Sequence, residues 1–251
     1  MKNNKSDISP LVYKDIDRGT PLKIVFLSGL GLEIRRQREG FLRRFALTHN
    51  VSYLALDYTE YIMRSPELSE ERMKNAFAKT KDILEQTKEE KMILIGVCFG
   101  GLMALKIAEH MPKKIVGSIL FSPAYETPNF PMINVAEELL QKRIKTLKDR
   151  RASIQILDKL ITFKEMVISA FKTHTDKTIP SHYRGHLSIF HGSDDNLIPV
   201  ENSRHIQKSL KNPHCHLHVI KKAGHSINTD FEMKRPLRLL KGYLERENSA
   251  L

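Results

Sequence analysis

The segment Gly-Val-Cys-Phe-Gly-Gly at residues 96–101 constrains the fold of this chain more than any other stretch. Residues 92–95 before it form an uninterrupted apolar run, which is typical of a buried strand. From Leu102 onward, apolar residues recur at helical spacing. A Gly-x-nucleophile-x-Gly turn between a strand and a helix is a nucleophile elbow. The pattern therefore predicts that Cys98 lies on a sharp turn.

The glycines around Cys98 have a steric purpose in such a turn. The central residue adopts a strained backbone conformation, and a Cβ on the flanking residues would collide with it. The alternative is that Cys98 is an inert core cysteine, because free cysteine is often buried. Two distant segments favour the catalytic interpretation.

The first distant segment is His-Gly-Ser-Asp-Asp-Asn-Leu-Ile-Pro at residues 191–199, after an apolar run at 187–190. A carboxylate that directly follows a late strand suits the acid that orients a catalytic histidine. Asp194 and Asp195 are both candidates for this acid. The alternative is an ordinary Asp-rich turn, in which the side chains bond their own backbone.

The second distant segment is Ala-Gly-His at residues 223–225, after a strand-like stretch at 216–220. A histidine on the loop after the last strand can reach over the sheet to the elbow, although a surface loop histidine is the alternative. The chain order is nucleophile, acid, histidine, and each candidate stands at a strand end. Jointly, these signals predict a triad of Cys98, His225 and an aspartate.

The three motifs, in this order, resemble those of the α/β-hydrolase fold over nearly the whole chain. The Gly-x-Cys-x-Gly-Gly variant resembles dienelactone hydrolases and the lipase-like box of the much longer polyhydroxyalkanoate synthases. The layout is closer to the single-domain, lidded serine hydrolases of the monoglyceride lipase and peptidase S33 type. The resemblance favours Asp195 as the acid, because it stands four residues before Pro199, where related chains place the acid.

The resemblance also implies an oxyanion hole. An apolar strand at residues 22–27 is followed by Ser28-Gly29-Leu30-Gly31, where related chains usually read His-Gly. The residue after that first glycine supplies one backbone N–H, which assigns the role to Leu30. Phe99, directly after the nucleophile, supplies the second N–H.

Strands that alternate with helical patterns predict an α/β fold with a mostly parallel sheet covered on both faces. Strands are predicted at 22–27, 51–56, 92–95, 115–121, 186–190 and 216–220, and helices at 70–88, 200–210 and 236–246. The strand pattern stops between residues 126 and 183, where the resemblance implies a helical lid. We therefore expect an α/β-hydrolase core of residues 1–125 and 184–251 with a lid at 126–183.

Four apolar residues at the start of the expected lid are candidates for substrate binding: Phe130, Met132, Ile133 and Val135. The alternative is that they pack the lid onto the core. A lid would exclude water from the reaction and shape the acyl pocket.

The formal net charge of +12 has one local concentration, at residues 142–151. A solvated helix face is the favoured interpretation, and guidance of anionic substrates or contact with a membrane surface is the alternative. No aromatic residues interleave with the basic ones, so nucleic acid is not an expected partner. His214, His216 and His218 alternate along a predicted strand, and a solvated edge is favoured over a zinc site.

We expect neither a metal nor any other cofactor. Two cysteines make no disulfide framework, the first residues are too polar for a signal peptide, and no stretch of about 18 apolar residues exists to insert stably in a membrane. A reducing cytoplasm is therefore the expected compartment.

The sequence predicts a hydrolase that cleaves a small-molecule carboxylic ester or thioester through a covalent acyl-enzyme. Two alternatives remain open. One is an acyltransferase that uses the same thioester intermediate, and the other is a non-catalytic ligand-binding homologue of the same fold. The sequence predicts no oligomeric state.

Overall fold

The computed structural model describes residues 11–29, 34–58, 70–124, 183–196, 198–227 and 229–249. This part of the chain forms one sheet of seven strands and five helices. The strands are β1 Val12–Ile16, β2 Leu22–Leu27, β3 Ser52–Leu56, β4 Lys91–Val97, β5 Ile115–Phe121, β6 His186–Gly192 and β7 Cys215–Ile220. The helices are α1 Ile34–Thr48, α2 Glu70–Glu85, α3 Phe99–His110, α4 Val200–Leu210 and α5 Asp230–Ser249.

The strand order across the sheet is β1-β3-β2-β4-β5-β6-β7. β1 pairs with β3 antiparallel, and every other pair is parallel. All six residues of β2 and six of the seven in β4 are buried. Continuous burial is typical of parallel strands, because helices cover both faces of such a sheet.

Two apolar clusters, one on each face of the sheet, form the core. Successive strand residues point to opposite faces, so Val25 and Leu27 belong to one cluster while Ile24 and Phe26 belong to the other. Residues of α2, α3 and α4 join the first cluster, and residues of α1 and α5 join the second. The helices are therefore divided between the two faces, as expected for an α/β fold.

The strand order reverses next to β2, because the chain moves to β3 on one side and later to β4 on the other. Ligands in open α/β sheets bind outside the carboxyl ends of the strands at such a reversal. The loops that meet there begin at Ser28, after β2, and at Cys98, after β4. The topology thus brings two predicted site segments to the same edge.

The first turn of α3 approaches the sheet too closely for side chains. A Cβ on Gly100 would collide with the carbonyl oxygens of Leu27 and Ser28, and a Cβ on Gly96 would collide with the Gly100 carbonyl. A Cβ on Gly101 would lie 2.7 Å from the Pro123 Cβ. The three glycines are therefore steric requirements of the turn around Cys98.

The predicted bounds are confirmed for β2, β5 and α4. The prediction that the last helix begins at Pro236 is wrong, because α5 begins at Asp230 and contains Pro236 in its interior. Thr229 and Glu232 form a capping box: the Thr229 N–H donates to Glu232 Oε2 at 2.9 Å, and the Glu232 N–H donates to Thr229 Oγ1 at 3.2 Å.

Smaller differences affect α2 and β3, and β4, β6 and β7 are each one to three residues longer than predicted. α2 ends at Glu85 instead of residue 88, because both the N–H and the hydroxyl of Thr87 bond the Leu84 carbonyl and close the turn. β3 begins at Ser52, one residue later than predicted. Among the residues described, no helix combines the length and apolar character that spanning a bilayer requires.

The close approach at Gly100 generates a stability prediction. Gly100→Ala forces a Cβ into the backbone of the β2 edge, so we expect a loss of about 2–3 kcal/mol or more in the free energy of unfolding. Gly40→Ala in α1 is the matched control, since its added Cβ meets nothing within 4 Å among the described atoms outside the local backbone. Urea unfolding of both variants measures the effect. Alanine favours a helix interior, so Gly40→Ala should gain about 0.5–1 kcal/mol; equal behaviour of the two variants contradicts the steric explanation.

Candidate active site

Cys98 lies at the junction between β4 and α3 with φ 50° and ψ −115°. A positive φ is uncommon for a residue with a Cβ and marks a strained turn. The turn is held by the Cys98 N–H, which donates to the Phe121 carbonyl at 2.9 Å. The Cys98 carbonyl accepts from the N–H groups of Gly101 and Ala124, each at 2.9 Å. The backbone thus fixes a half-buried thiol at the start of α3, where the helix dipole favours negative charge.

The loop after β2 lies directly against this thiol. A Cβ on Gly29 would come within 3.2 Å of the Cys98 Cβ. Ser28, where related chains read His, is buried and ties the loop to the end of β3: its Oγ accepts from the Tyr58 N–H at 2.9 Å. Its own N–H donates to the Leu56 carbonyl at 3.1 Å. The loop is therefore anchored next to Cys98 without the usual histidine.

Asp195 follows β6 and faces His225, which follows β7. Asp195 Oδ2 accepts from His225 Nδ1 at 2.8 Å, and Oδ1 accepts from the Ile198 N–H at 2.9 Å. Asp194 is exposed, and its carboxylate accepts from the neighbouring Ser193 hydroxyl at 2.6 Å. Of the two candidate carboxylates, the structure thus brings Asp195 to the histidine.

A glycine allows these two loops to meet. A Cβ on Gly192, the last residue of β6, would collide with the carbonyl oxygens of Ala223 and Gly224. The Asp194 N–H also donates to the Ala223 carbonyl at 2.9 Å. The backbone therefore holds the segment before His225 against the segment before Asp195.

The local electrostatics keep Asp195 ionised. Burial alone raises the pKa of Asp195, but hydrogen bonds from His191 and His225, the charge of His225 and the Ile198 N–H together lower it well below its usual range. Hydrogen bonds to a carboxylate stabilise its charged form. Asp195 is therefore a carboxylate across the physiological pH range.

The opposite effect acts on His225. Burial lowers the pKa of His225, but hydrogen bonds to Asp195 and to the Cys98 side chain, with the charges of both, raise it from 6.5 to about 10. Because the folded-state pKa is the higher one, protonated His225 stabilises the fold fully below about pH 6.5, and this contribution is lost as the pH rises through about 10. Because Asp195 accepts from Nδ1 of the His225 imidazole, Nε2 is the ring nitrogen that remains to bond the Cys98 sulfur.

His191 is a part of the site that the sequence interpretation missed. The side chain is fully buried, and its Nε2 lies 2.7 Å from the Ile198 carbonyl and 3.3 Å from Asp195 Oδ2. A carbonyl only accepts, so Nε2 carries the hydrogen and Nδ1 accepts from the Ser203 hydroxyl at 2.7 Å. His191 therefore approaches the same Asp195 oxygen as His225. The signal is local, because His191 is the first residue of the 191–199 motif that also contains both aspartates.

The three alternating histidines have different surroundings: His214 precedes β7, and His216 and His218 lie on it. The His214 ring lies 5.0 Å from the His186 ring, whereas the half-buried His218 ring lies 4.7 Å from the Phe190 ring. His216 is exposed. Across the described ranges, no group of three or more His, Cys, Asp or Glu side chains is arranged to hold a metal.

Several predicted site residues lie outside the described part of the chain. They are Leu30, the pocket candidates Phe130, Met132, Ile133 and Val135, the expected lid except Tyr183, and the basic cluster at 142–151. Phe99 is described: it is the first residue of α3, its side chain is buried, and its ring packs edge-on against the Tyr58 ring at 5.2 Å.

One family model of known proteins matches part of the chain. A family model described as serine aminopeptidase, S33, matches residues 69–177, a range that includes Cys98 and ends before Asp195. No curated protein matches the chain.

Three solved structures show the extent of the structural likeness. A carboxylesterase of the thaumarchaeon Nitrososphaera gargenis is 16% identical with a TM-score of 0.69, over 98% of this chain and 99% of its own. Mouse alpha/beta hydrolase domain-containing protein 10 is 17% identical with a TM-score of 0.63, over 95% and 96%. The Paleococcus ferrophilus monoacylglycerol lipase is 22% identical with a TM-score of 0.53, over 88% and 93%.

The parallel sheet, the strained turn after β4 and these likenesses together define the fold: the chain has the α/β-hydrolase fold. The fold expectation drawn from the sequence is confirmed.

The two hydrogen bonds of His225 generate a titration prediction. Removal of the sulfur in Cys98→Ala takes away one of the two groups that raise the pKa of His225, so the imidazole should titrate at a lower pH than about 10. NMR of the ring protons measures the midpoint directly, without any substrate. Cys215→Ala, which removes a buried thiol elsewhere, is the control. An unchanged His225 midpoint in Cys98→Ala would show that the sulfur does not act on the imidazole.

Proposed function

We propose that the protein is a hydrolase that cleaves a carboxylic ester or thioester through a triad of Cys98, His225 and Asp195. The observation that carries the proposal is the hydrogen-bonded chain from Asp195 through His225 to a thiol on a strained strand-to-helix turn. A nucleophile, a base and an orienting acid in this order define an acyl-transfer site.

The proposed reaction begins with the Cys98 sulfur attacking the acyl carbon. The carbonyl π electrons move to the oxygen, and backbone N–H groups of Phe99 and Leu30 stabilise the resulting oxyanion. Loss of one such donor costs about 3 kcal/mol. Collapse of the oxyanion breaks the bond to the leaving group, which takes a proton from His225 and departs, so that a thioester remains on Cys98.

The thioester is then resolved by water. His225 removes a proton from the water, the hydroxide oxygen bonds the acyl carbon, and the Cys98 sulfur leaves as a thiolate with the proton retained on His225. Asp195 holds the imidazole in the tautomer that both steps require. Another acceptor, such as an amine or a thiol, completes an acyl transfer by the same route.

A cysteine nucleophile needs a negative sulfur, because the thiolate and not the thiol attacks. Two features of the site favour that charge. The sulfur stands at the N-terminus of α3, and the His225 pKa is raised to about 10, so an imidazolium faces it near neutral pH. A reducing cytoplasm is the compartment that keeps such a thiol free.

The comparisons support the reaction class and leave the substrate open. Two of the reported structural neighbours are described as a carboxylesterase and a monoacylglycerol lipase. Fold likeness alone does not fix a substrate. We propose that residues 126–183 form the lid and that Phe130, Met132, Ile133 and Val135 contact the acyl group.

Intact-mass spectrometry tests the proposal. Brief exposure to a panel of activated esters and acyl thioesters should add one acyl mass to the wild-type protein. The adduct should be absent from Cys98→Ala, because the nucleophile is gone. It should accumulate or form slowly in His225→Ala, because the base is missing.

Two controls separate the site from general thiol reactivity. Cys215→Ala should still form the adduct, since Cys215 is buried and burial raises the pKa of that thiol to about 12. Cys98→Ser should lose most activity, because the site is suited to a thiolate. An adduct that survives in Cys98→Ala excludes this nucleophile, and the absence of any adduct or turnover favours the ligand-binding alternative.

The two neighbouring aspartates provide a matched pair. Asp195→Asn should lower kcat/KM on the order of 10³–10⁴-fold, because the amide favours the wrong tautomer of His225. Asp194→Asn changes an exposed residue and should leave kcat/KM unchanged within about twofold. Steady-state kinetics with a substrate found in the mass experiment measures both. The reverse ranking would assign the acid to Asp194.

A further inference from the structure

Arg38 of α1 is a fully buried guanidinium placed behind the candidate site. Its Nε donates to the Ile227 carbonyl at 2.9 Å, and its Nη2 donates to the same oxygen. Ile227 stands two residues after His225. The fork therefore fastens the loop that carries the histidine to a helix from the other end of the chain.

The same guanidinium also lies next to the turn that carries the thiol. Its Cζ stands 4.6 Å from the centre of the Phe121 ring, and the Phe121 carbonyl accepts the Cys98 N–H at 2.9 Å. Cys98 packs against the apolar cluster that includes Phe121 and Ile227. Arg38 thus contacts the strand end that bonds the Cys98 backbone and the loop that follows His225.

Complete burial of the Arg38 guanidinium disfavours its positive charge, so the charge needs a compensating partner. Burial lowers the pKa of Arg38 to about 9, while the negative charges of Glu232 and Cys98 raise it. Arg38 Nη1 is buried, and no hydrogen-bond partner for it stands among the residues that the structure describes. A buried cation without full hydrogen bonding is destabilising unless a nearby negative charge compensates it.

We infer that Arg38 is the fixed buried cation that stabilises the negatively charged sulfur of Cys98 and, through Ile227, positions His225. This inference rests on the proposed role of Cys98 as the nucleophile. Within the described part of the chain, the charged groups that act on the sulfur are His225 from the loop after β7 and Arg38 from α1. Asp195 bonds His225 from behind, and the negative charge of Glu232 on α5 acts on Arg38.

Alkylation by iodoacetamide tests the charge on the sulfur without any acyl substrate. The measured quantity is the rate of Cys98 labelling at pH 6 divided by the rate at pH 8, with the site assigned by peptide mass; both values lie below the Arg38 pKa of about 9, so Arg38 stays charged. Arg38→Gln keeps hydrogen-bond donors but removes the charge, so the ratio should fall about tenfold. Arg38→Lys keeps the charge, so its ratio should stay closer to the wild-type value.

Arg44→Gln is the matched control, because Arg44 is exposed on the same helix and lies 5.9 Å from the Phe41 ring. Its ratio should equal that of the wild type. If Arg38→Gln is folded and keeps the wild-type ratio, the inference is overturned. An equal fall of the labelling ratio in Arg38→Gln and Arg38→Lys would overturn the charge effect. Only the hydrogen bonds from the guanidinium to the Ile227 carbonyl would then explain the result.

A second variant covers the case in which Arg38→Gln does not fold. Glu232→Gln removes the negative charge that partly neutralises the field of Arg38 at the sulfur. Glutamine also serves in a capping box, so the start of α5 is retained. The labelling ratio should rise by about twofold in this variant. A constant or lower ratio contradicts the inference.

The outcomes of this test and of the acylation test are separable. A ratio that responds to Arg38 with no acyl adduct would support the charge effect and refute the proposed reaction. An acyl adduct with a ratio that ignores both Arg38 and Glu232 would support the reaction and refute the role of Arg38.

Discussion

The contact of the first turn of α3 with the end of β2 determines the geometry of the whole candidate site. Gly100 touches the backbone of Leu27 and Ser28 with no space for a side chain. That approach lets the chain leave β4 through a residue with positive φ, which turns the Cys98 side chain out of the sheet. It also brings the loop at Gly29 against Cys98. A single steric requirement thus places the candidate nucleophile and one side of its surroundings.

The other side of the site depends on polar contacts that offset burial. Asp195 is buried and ionised because it accepts from the Ile198 N–H and from two imidazoles, those of His191 and His225. A buried carboxylate without such donors would take up a proton, and the imidazole would lose its orienting charge. The rigidity of His225 therefore follows from a network that extends through His191 to Ser203 on α4.

The sequence predicted the parts of the molecule that follow local rules. The strands β2 and β5 are mostly apolar and buried, so the run of apolar residues predicts them. The glycines around Cys98 are sterically required, and their spacing around the cysteine shows this in the sequence. It also singled out the three residues that the structure brings together. The predicted start of α5 is wrong because proline favours the first turn of a helix, and Pro236 therefore suggests a start at that residue. The Thr229–Glu232 capping box is the local signal for the observed, earlier start.

Other features were not predictable, because their partners are distant in sequence. β1 is five residues long with three exposed, and only its pairing with β3 defines it as a strand. Arg38 acts through a carbonyl 189 residues away, so no local pattern distinguishes it from the exposed arginines of the same helix. The preference for Asp195 over Asp194, by contrast, follows from the family resemblance, and the turn directs the Asp195 carboxylate toward His225.

The presence of a cysteine where relatives carry serine changes what the surrounding charges do. A serine hydroxyl is neutral at rest, so a nearby cation would act on it only as charge develops in the transition state. A thiolate carries its charge before substrate binds, so the same cation acts in the ground state as well. The proposed thiolate would compensate both the imidazolium of His225 and the buried charge of Arg38. A serine hydroxyl would not, so the proposed reaction makes the identity of residue 98 and the charges around it depend on each other.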